Sequence, residues 1–360
     1  MINVTKSFLP DLKEFTKYLE GIWERGHLTN HGPLVIELEN KLRDFLGVKH
    51  FFFVNNGTIA LQIAIKAADL KGDVITTPFS YVATTSCLVW ENCNPVFADI
   101  DPNTLTVTAE TIEKVITPQT TGILVTHVYG NPCPVEEIEV LAKQRGLKVI
   151  YDAAHAFGVE FNNQSILNFG NISTLSFHAT KLFHTIEGGG IITNDDELAH
   201  KISYMRNFGH NGPEAFYGVG VNGKSSEFHA AMGLCLIPKI DYIIKTRKAL
   251  SDLYTSNLGS IPIQHLQIQP GTTKYNFAYY PIIFNTEEEL LKVVKALNEN
   301  QIMPRRYFYP SLNTLHYVAN NLVNDYATDV SKRVLCLPLY PDLSNEEAQK
   351  IATIIINALC

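Results

Sequence analysis

The sequence predicts an α/β protein whose larger part is a mostly parallel, seven-stranded sheet. Three observations carry this expectation. Apolar runs of strand length alternate with helix-like segments through the first half of the chain. Several of those runs are apolar throughout, as strands covered on both faces must be. The pattern then changes after about residue 260, so 360 residues divide into a larger and a smaller unit.

The strands follow in order. "HFFFVNN", "GDVITTP", "NPVFADID", "TGILVTHVYG", "KVIYDAAH", "STLSFHA" and "GGGIITND" each read as a short buried strand. Helices "TIALQIAIKAADL", "SYVATTSCLVWEN", "TAETIEKVI" and "PVEEIEVLAKQRG" separate the first five, the last of them stopped by Gly146. A long helical stretch from "EFHAAMGLCL" bridges to the second unit. There "KYNFAYYPIIF" reads as a strand, "TEEELLKVVKALNENQ" as an amphipathic helix, and "RVLCLPLYPDLSNEEAQKIATIIINAL" as strand, turn and helix. The expected division is a large domain at 1–245 and a small α+β domain at 246–360.

Charge and composition exclude several function classes. The net charge is −7, so no basic surface invites nucleic acid. No apolar run is long enough to span a bilayer. "MINVTKSFLPDLKEF" carries charges where a signal peptide needs an apolar core, and the expected location is the cytoplasm. The six cysteines form no CxxC pair and are too sparse for a disulfide framework, so they read as free thiols.

Four stretches carry candidate chemistry. In "VNNGTIAL" a strand ends, Gly57 permits a tight turn, and a helix starts near Thr58. Backbone N–H groups and the helix dipole there favour an anion, though an ordinary strand-to-helix turn looks the same. In "VIYDAAHAFG", Asp152 stands at the end of an apolar strand, where a carboxylate is costly without a partner. It is either held by a cation or is a helix cap. His155 follows after two alanines. In "TTPFSYVATTS", Phe79 and Tyr81 offer an aromatic face for a planar ligand, or core packing. In "SFHATKLFHTIEGGG", Lys181 ends a strand and meets glycines. Desolvation there would free its amine for Schiff-base chemistry, though an ordinary surface lysine looks the same in the sequence. Those glycines leave room for the backbone to pass close to a ligand. His178 and His184, six apart, fit neither one helix face nor a zinc loop, so no metal is expected. "GVGVNG" matches G-x-G-x-x-G literally but does not link a strand to a helix in a βαβ unit, which removes a dinucleotide site.

Anion turn, aromatic face, strand-end aspartate and lysine are the four elements that pyridoxal phosphate needs. With them the chain resembles the sugar aminotransferases of the DegT/DnrJ/EryC1/StrS family, of the aspartate aminotransferase fold. The resemblance covers nearly the whole length. It rests on "NNGTIAL", "VITTPFSYVATTS", "PVFADIDPNTL", "HVYGNP", "VIYDAAHAFG", "SFHATKLFHTIEGGG" and "GVNGKSSEFHAAMG". It implies pyridoxal phosphate as cofactor, with Lys181 joined to its aldehyde and shuttling protons. Asp152 would pair with the pyridinium nitrogen, and His155 would sit near the ring hydroxyl. Tyr81 would stack on the ring, while Gly57, Thr58 and Ser176 would hold the phosphate. Asn222 would reach the phosphate of a neighbouring subunit, which implies a homodimer. Glu187 and Glu227 match recurrent acids of the family without an assigned role. Relatives with His at the lysine position dehydrate instead, and this chain keeps Lys181.

"HLTNHGP", "YDAAHAFGVEFNNQSILNFG" and "RRYFYPSLN" further resemble members that aminate dTDP-4-dehydro-6-deoxy-D-glucose with L-glutamate, for surface polysaccharides such as O-antigen. Arg305, Arg306 and Tyr309 are then candidates for contacting the nucleotide-sugar, or form a solvated basic turn. The rival readings are a 3-keto or GDP-linked sugar aminotransferase, a sugar-binding regulator without turnover, and a metal hydrolase built on the histidines.

Overall fold

The computed structural model describes residues 1–318 and 325–359. All seven expected strands form one sheet. Across it run His50–Val54, Gly189–Thr193, Ile172–Ser176, Lys148–Asp152, Thr120–Thr126, Gly72–Thr76 and Cys93–Phe97. Six run in one direction, and Gly189–Thr193 opposes both its neighbours. The reason is local. A parallel return needs a crossover, usually a helix, whereas Ser176 and Gly189 are joined by a loop without one. That loop carries Lys181.

Alternation along the strands builds two cores. Val74, Leu124 and Ile150 point to one face, under the helices Gly57–Ala67 and Asp196–Met205. Ile75, Ile123, Val125 and Tyr151 point to the other. Burial on both faces is why these strands read as continuous apolar runs.

A separate apolar cluster lies at the other end of the chain. It takes Leu250, Tyr254 and Leu258 from the helix Ile240–Leu258, together with Ile282, Leu335 and Ile351. Its sheet is antiparallel, in the order Gln264–His265, Tyr280–Ile283, Val334–Leu337. Ile240 and Ile243 of the same helix belong to the large core, so the two clusters meet within one helix. The N-terminus reaches across: Ile2 pairs in parallel with Ile302, and Leu339 N–H donates to Val4 O at 3.1 Å.

Three expected elements differ. The long helical stretch breaks into Glu227–Leu236 and Ile240–Leu258 around a 3₁₀ turn at Ile237–Lys239, where Pro238 has no N–H to give. "TAETIEKVI" forms only Ala109–Glu113, closed by a Thr108–Thr111 capping box. "KYNFAYYPIIF" divides between two sheets. Thr272–Lys274 pairs with Glu160–Phe161, and only Tyr280–Ile283 joins the small sheet. Between them the buried Asn276 amide donates to His155 O (2.8 Å) and Phe157 O (3.0 Å), pinning this segment to the large unit.

Candidate active site

The C-terminal ends of the parallel strands open onto a cavity of about 380 Å³. This is where an open α/β sheet places a ligand. Gly57, Thr58, Tyr81, Asp152, His155, Ser176, Lys181, Glu187 and Arg305 all line it.

Gly57 opens the helix Gly57–Ala67. Asn56 caps that helix, accepting the Ile59 N–H at 2.8 Å. A Cβ on Gly57 would stand 2.9 Å from Ser176 Cβ, so only glycine lets the helix N-terminus lie against Ser176. The exposed Thr58 hydroxyl and Ser176 therefore flank the first helical N–H groups, an arrangement suited to a phosphate. The glycines at 188–190 serve packing, not ligand access. A Cβ on Gly189 would lie 2.6 Å from Asn56 O, and one on Gly190 2.8 Å from the Phe51 ring. What passes close is protein: the turn that carries Gly57.

Asp152 ends the strand Lys148–Asp152 and is 5% exposed. Thr84 Oγ1 donates to its Oδ2 at 2.7 Å, and Ala154 N–H to its Oδ1 at 3.1 Å. It caps no helix. Burial pushes its carboxyl above the ordinary range, against those two donors and the Lys181 charge. Lys181 does not end a strand. It sits in a turn past Ser176, its N–H bonded to His178 O at 2.9 Å. Burial lowers its amine to about 8, opposed by Asp152 and Tyr81.

His155 Nδ1 accepts the Tyr129 N–H at 3.2 Å, so the neutral ring carries its proton on Nε2. Burial holds it well below the usual histidine range. Its ring stacks on Phe308, with centroids 5.7 Å apart. Tyr81 is 58% exposed and free to face a ring, whereas Phe79 is fully buried against Tyr129 and Phe308.

Other expected residues lie elsewhere. Arg306 pairs with Glu287 at 2.6 Å and packs its guanidinium 3.7 Å from the Tyr309 ring centre, and neither residue lines the cavity. Asn222 is exposed and does not line the cavity, its carbonyl accepting from Asn55 Nδ2 at 3.2 Å. "GVGVNG" is irregular backbone with no strand leading into it. Glu227 is fully buried and accepts Leu34 N–H (3.1 Å) and Val35 N–H (3.0 Å), so it caps the helix Pro33–Leu46. The two histidines point apart. His178 Nδ1 is 2.8 Å from Thr180 Oγ1, with its Nε2 3.7 Å from Glu187 Oε1. His184 Nε2 donates to Phe8 O at 2.9 Å. Among the described residues no group of three or more His, Cys, Asp or Glu is placed to hold a metal ion.

Sequence reasoning missed Ser80, Thr84, Thr126, Tyr279 and Phe308, which also line the cavity or hold its walls. Small hydroxyls within a strand and a helix give no periodic signal. Ser80 and Thr84 had a trace of one, in "SYVATTS" after the strand end.

The residues present fit pyridoxal phosphate. Asp152 is a buried carboxylate without an ion-pair partner among the described residues. Thr174 Oγ1, also in the wall, is buried without a hydrogen-bond partner. Both invite a cationic, polar guest beside the lysine.

The sequence profile of the DegT/DnrJ/EryC1/StrS aminotransferase family matches residues 11–356. The chain belongs to that family. Its members use pyridoxal phosphate. The chain is 43% identical over 359 residues to the dTDP-4-amino-4,6-dideoxy-D-glucose transaminase of Shigella dysenteriae, covering 98% of each. It is 39% identical to the transaminase of the same name from Escherichia coli, covering 99% of each. Among solved structures, DesI with its TDP-sugar product superposes with a TM-score of 0.93 at 28% identity, covering 99% of this chain and 93% of that one.

Proposed function

We propose that this family member moves an amino group from L-glutamate to C4 of dTDP-4-dehydro-6-deoxy-D-glucose. The product is dTDP-4-amino-4,6-dideoxy-D-glucose, for surface polysaccharide. The observation that carries this reading is the meeting of Lys181, Asp152, Thr58 and Ser176 in one cavity, in a chain 43% identical to a transaminase named for that product.

Gly57, Thr58 and Ser176 would hold the cofactor phosphate, Tyr81 would cover the ring, and Asp152 would hold a protonated ring nitrogen. When bound, pyridoxal phosphate supplies an electron sink for charge developing at the amino carbon. Lys181 Nζ takes the proton from glutamate's amino carbon and later delivers one at C4 of the sugar. Its lowered basicity suits both directions. The two substrates use the site in turn, so the kinetics are ping-pong. Arg305 stands at the cavity rim, where its fork can bond a diphosphate. Five buried free thiols, Cys87, Cys93, Cys133, Cys235 and Cys336, support a cytoplasmic setting. No helix among the described residues is long and apolar enough to cross a membrane.

The test is a panel of keto sugars with glutamate, read by 2-oxoglutarate release and product mass. Turnover on dTDP-4-dehydro-6-deoxy-D-glucose is expected. Turnover only on a 3-keto or GDP-linked sugar overturns the substrate. Sugar binding without turnover supports a regulator instead.

A further inference from the structure

Asp152 is the end point of a chain of buried hydroxyls, two of which, Ser80 and Thr126, stand in the same cavity wall as Lys181. Thr84 Oγ1 lies 2.7 Å from Asp152 Oδ2. Ser80 Oγ lies 2.8 Å from Thr84 Oγ1 and 2.8 Å from Thr126 Oγ1. Two stretches of chain supply them, with Ser80 and Thr84 four residues apart on one and Thr126 on the other. Thr126 ends the strand Thr120–Thr126, Ser80 follows the strand Gly72–Thr76, and Thr84 lies in the first turn of the helix Val82–Trp90. All three are at most 2% exposed, so water does not compete for these bonds.

Each hydroxyl has one proton, and that fixes the direction of the chain. An ionised carboxylate has no proton to give, so Thr84 donates to Asp152. With its proton committed, Thr84 accepts from Ser80, and Ser80 in turn accepts from Thr126. Every dipole then points toward the carboxylate. In a dry interior such bonds strengthen one another. A protonated Asp152 would lose this order, because it could itself donate to Thr84.

We propose that the Thr126–Ser80–Thr84 chain keeps Asp152 ionised and oriented toward the ring nitrogen of pyridoxal phosphate, with Thr84 as its positioning residue. The inference rests on the reading of Asp152 as partner of that nitrogen. The chain has work to do because burial alone favours the neutral acid. The other titratable groups around Asp152 do not replace it. Burial pushes the Cys87 thiol up to about 12, so it is neutral. His155, on the same loop, is held neutral as well. Among the described residues Lys181 is the cation that acts on Asp152 from the cavity wall, and catalysis requires that amine in its neutral form.

Thr84→Val removes the donor at nearly constant volume, and Thr84→Ser keeps it. Pyridoxal phosphate is titrated into each apo protein, and the visible band is then followed against pH. Thr84→Val weakens binding about tenfold or more, as expected for a lost hydrogen bond to a charged group. It also shifts the pH profile of the band, and Thr84→Ser restores both. In the apo protein, Thr84→Val lowers the melting temperature most at neutral pH. The deficit closes as pH falls through the raised range of Asp152, because a protonated carboxyl no longer needs the donor. A merely structural defect persists at both pH values. Unchanged affinity and pH profile in Thr84→Val overturn the proposal. Should that variant fail to fold, Ser80→Ala decides. It keeps the last bond but removes its polariser, and is expected to move the profile the same way by less. An unmoved profile overturns the chain. Asp152→Asn separates the two levels. If it binds pyridoxal phosphate as the wild type does, the reading of Asp152 fails. If only Asp152→Asn loses binding, the hydroxyl chain alone is wrong.

Discussion

Lys181 holds its proton less tightly than an ordinary lysine because it is desolvated. A base whose folded-state pKa is depressed makes the fold less stable below that value. The cost is relieved as pH rises from about 8 toward the ordinary lysine range. Two outcomes follow. The rate at which the apo protein captures pyridoxal phosphate rises with pH around a midpoint near 8, followed by stopped-flow absorbance. Lys181→Met abolishes turnover, by at least about a thousandfold, and removes the visible band of the lysine adduct. The same variant melts higher than wild-type apo protein at neutral pH, and the gain shrinks under alkaline conditions, where the wild-type lysine is already neutral. A melting gain that does not change with pH would assign the effect to packing.

Helices and strands position these groups, and their own ends are where single changes matter. Glu227 is a buried carboxylate fixed by two helix N–H groups, with Arg25 3.7 Å away. Glu227→Ala strips the cap from Pro33–Leu46 and is expected to cost about 2 kcal/mol, seen as a lower melting temperature with little change in pyridoxal phosphate affinity. Gly189→Ala acts on the site itself. Its Cβ would press on Asn56 O, which turns the chain into the helix Gly57–Ala67, whose N-terminus we propose holds the phosphate. An overpacking cost of about 2 kcal/mol and weaker cofactor phosphate binding are expected together. Stability loss alone, with affinity intact, would show that the turn yields without moving its N–H groups. At this scale the sequence was legible where physics is local. Buried strands are apolar on every residue, and the strand-end aspartate and glycine turn stand next to them in the chain. The direction of Gly189–Thr193 was not legible, since it depends on what joins two strands. Nor was the role of the three glycines, whose neighbours come from a strand more than a hundred positions earlier. The pairing of Arg306 with Glu287 was not legible either, because the partner lies nineteen positions away on another element.

The whole molecule raises the question of what completes the cavity. We propose that the chain divides near residue 245, within the helix that both apolar clusters share, and that it works as a homodimer. Asn222 is carried on a segment that exposes Phe208, Phe216, Tyr217, Val219 and Val221, the last four at 63%, 53%, 89% and 41%. So much apolar surface on one loop suits a protein interface better than solvent. If Asn222 serves the phosphate site of a second subunit, two inactive variants can rescue each other. Lys181→Ala and Asn222→Ala subunits are each expected to be impaired alone, the first completely. In a mixed dimer one site carries both lesions, and the other combines an intact Lys181 with the partner's intact Asn222. Random reassortment through an isologous twofold dimer makes half the dimers mixed, so roughly a quarter of all sites regain full activity. Mixing, mild dissociation and reassociation, followed by the glutamate-dependent assay, measures this directly. A mixture that merely averages its two parents would place Asn222 outside the partner's site, whatever the oligomeric state.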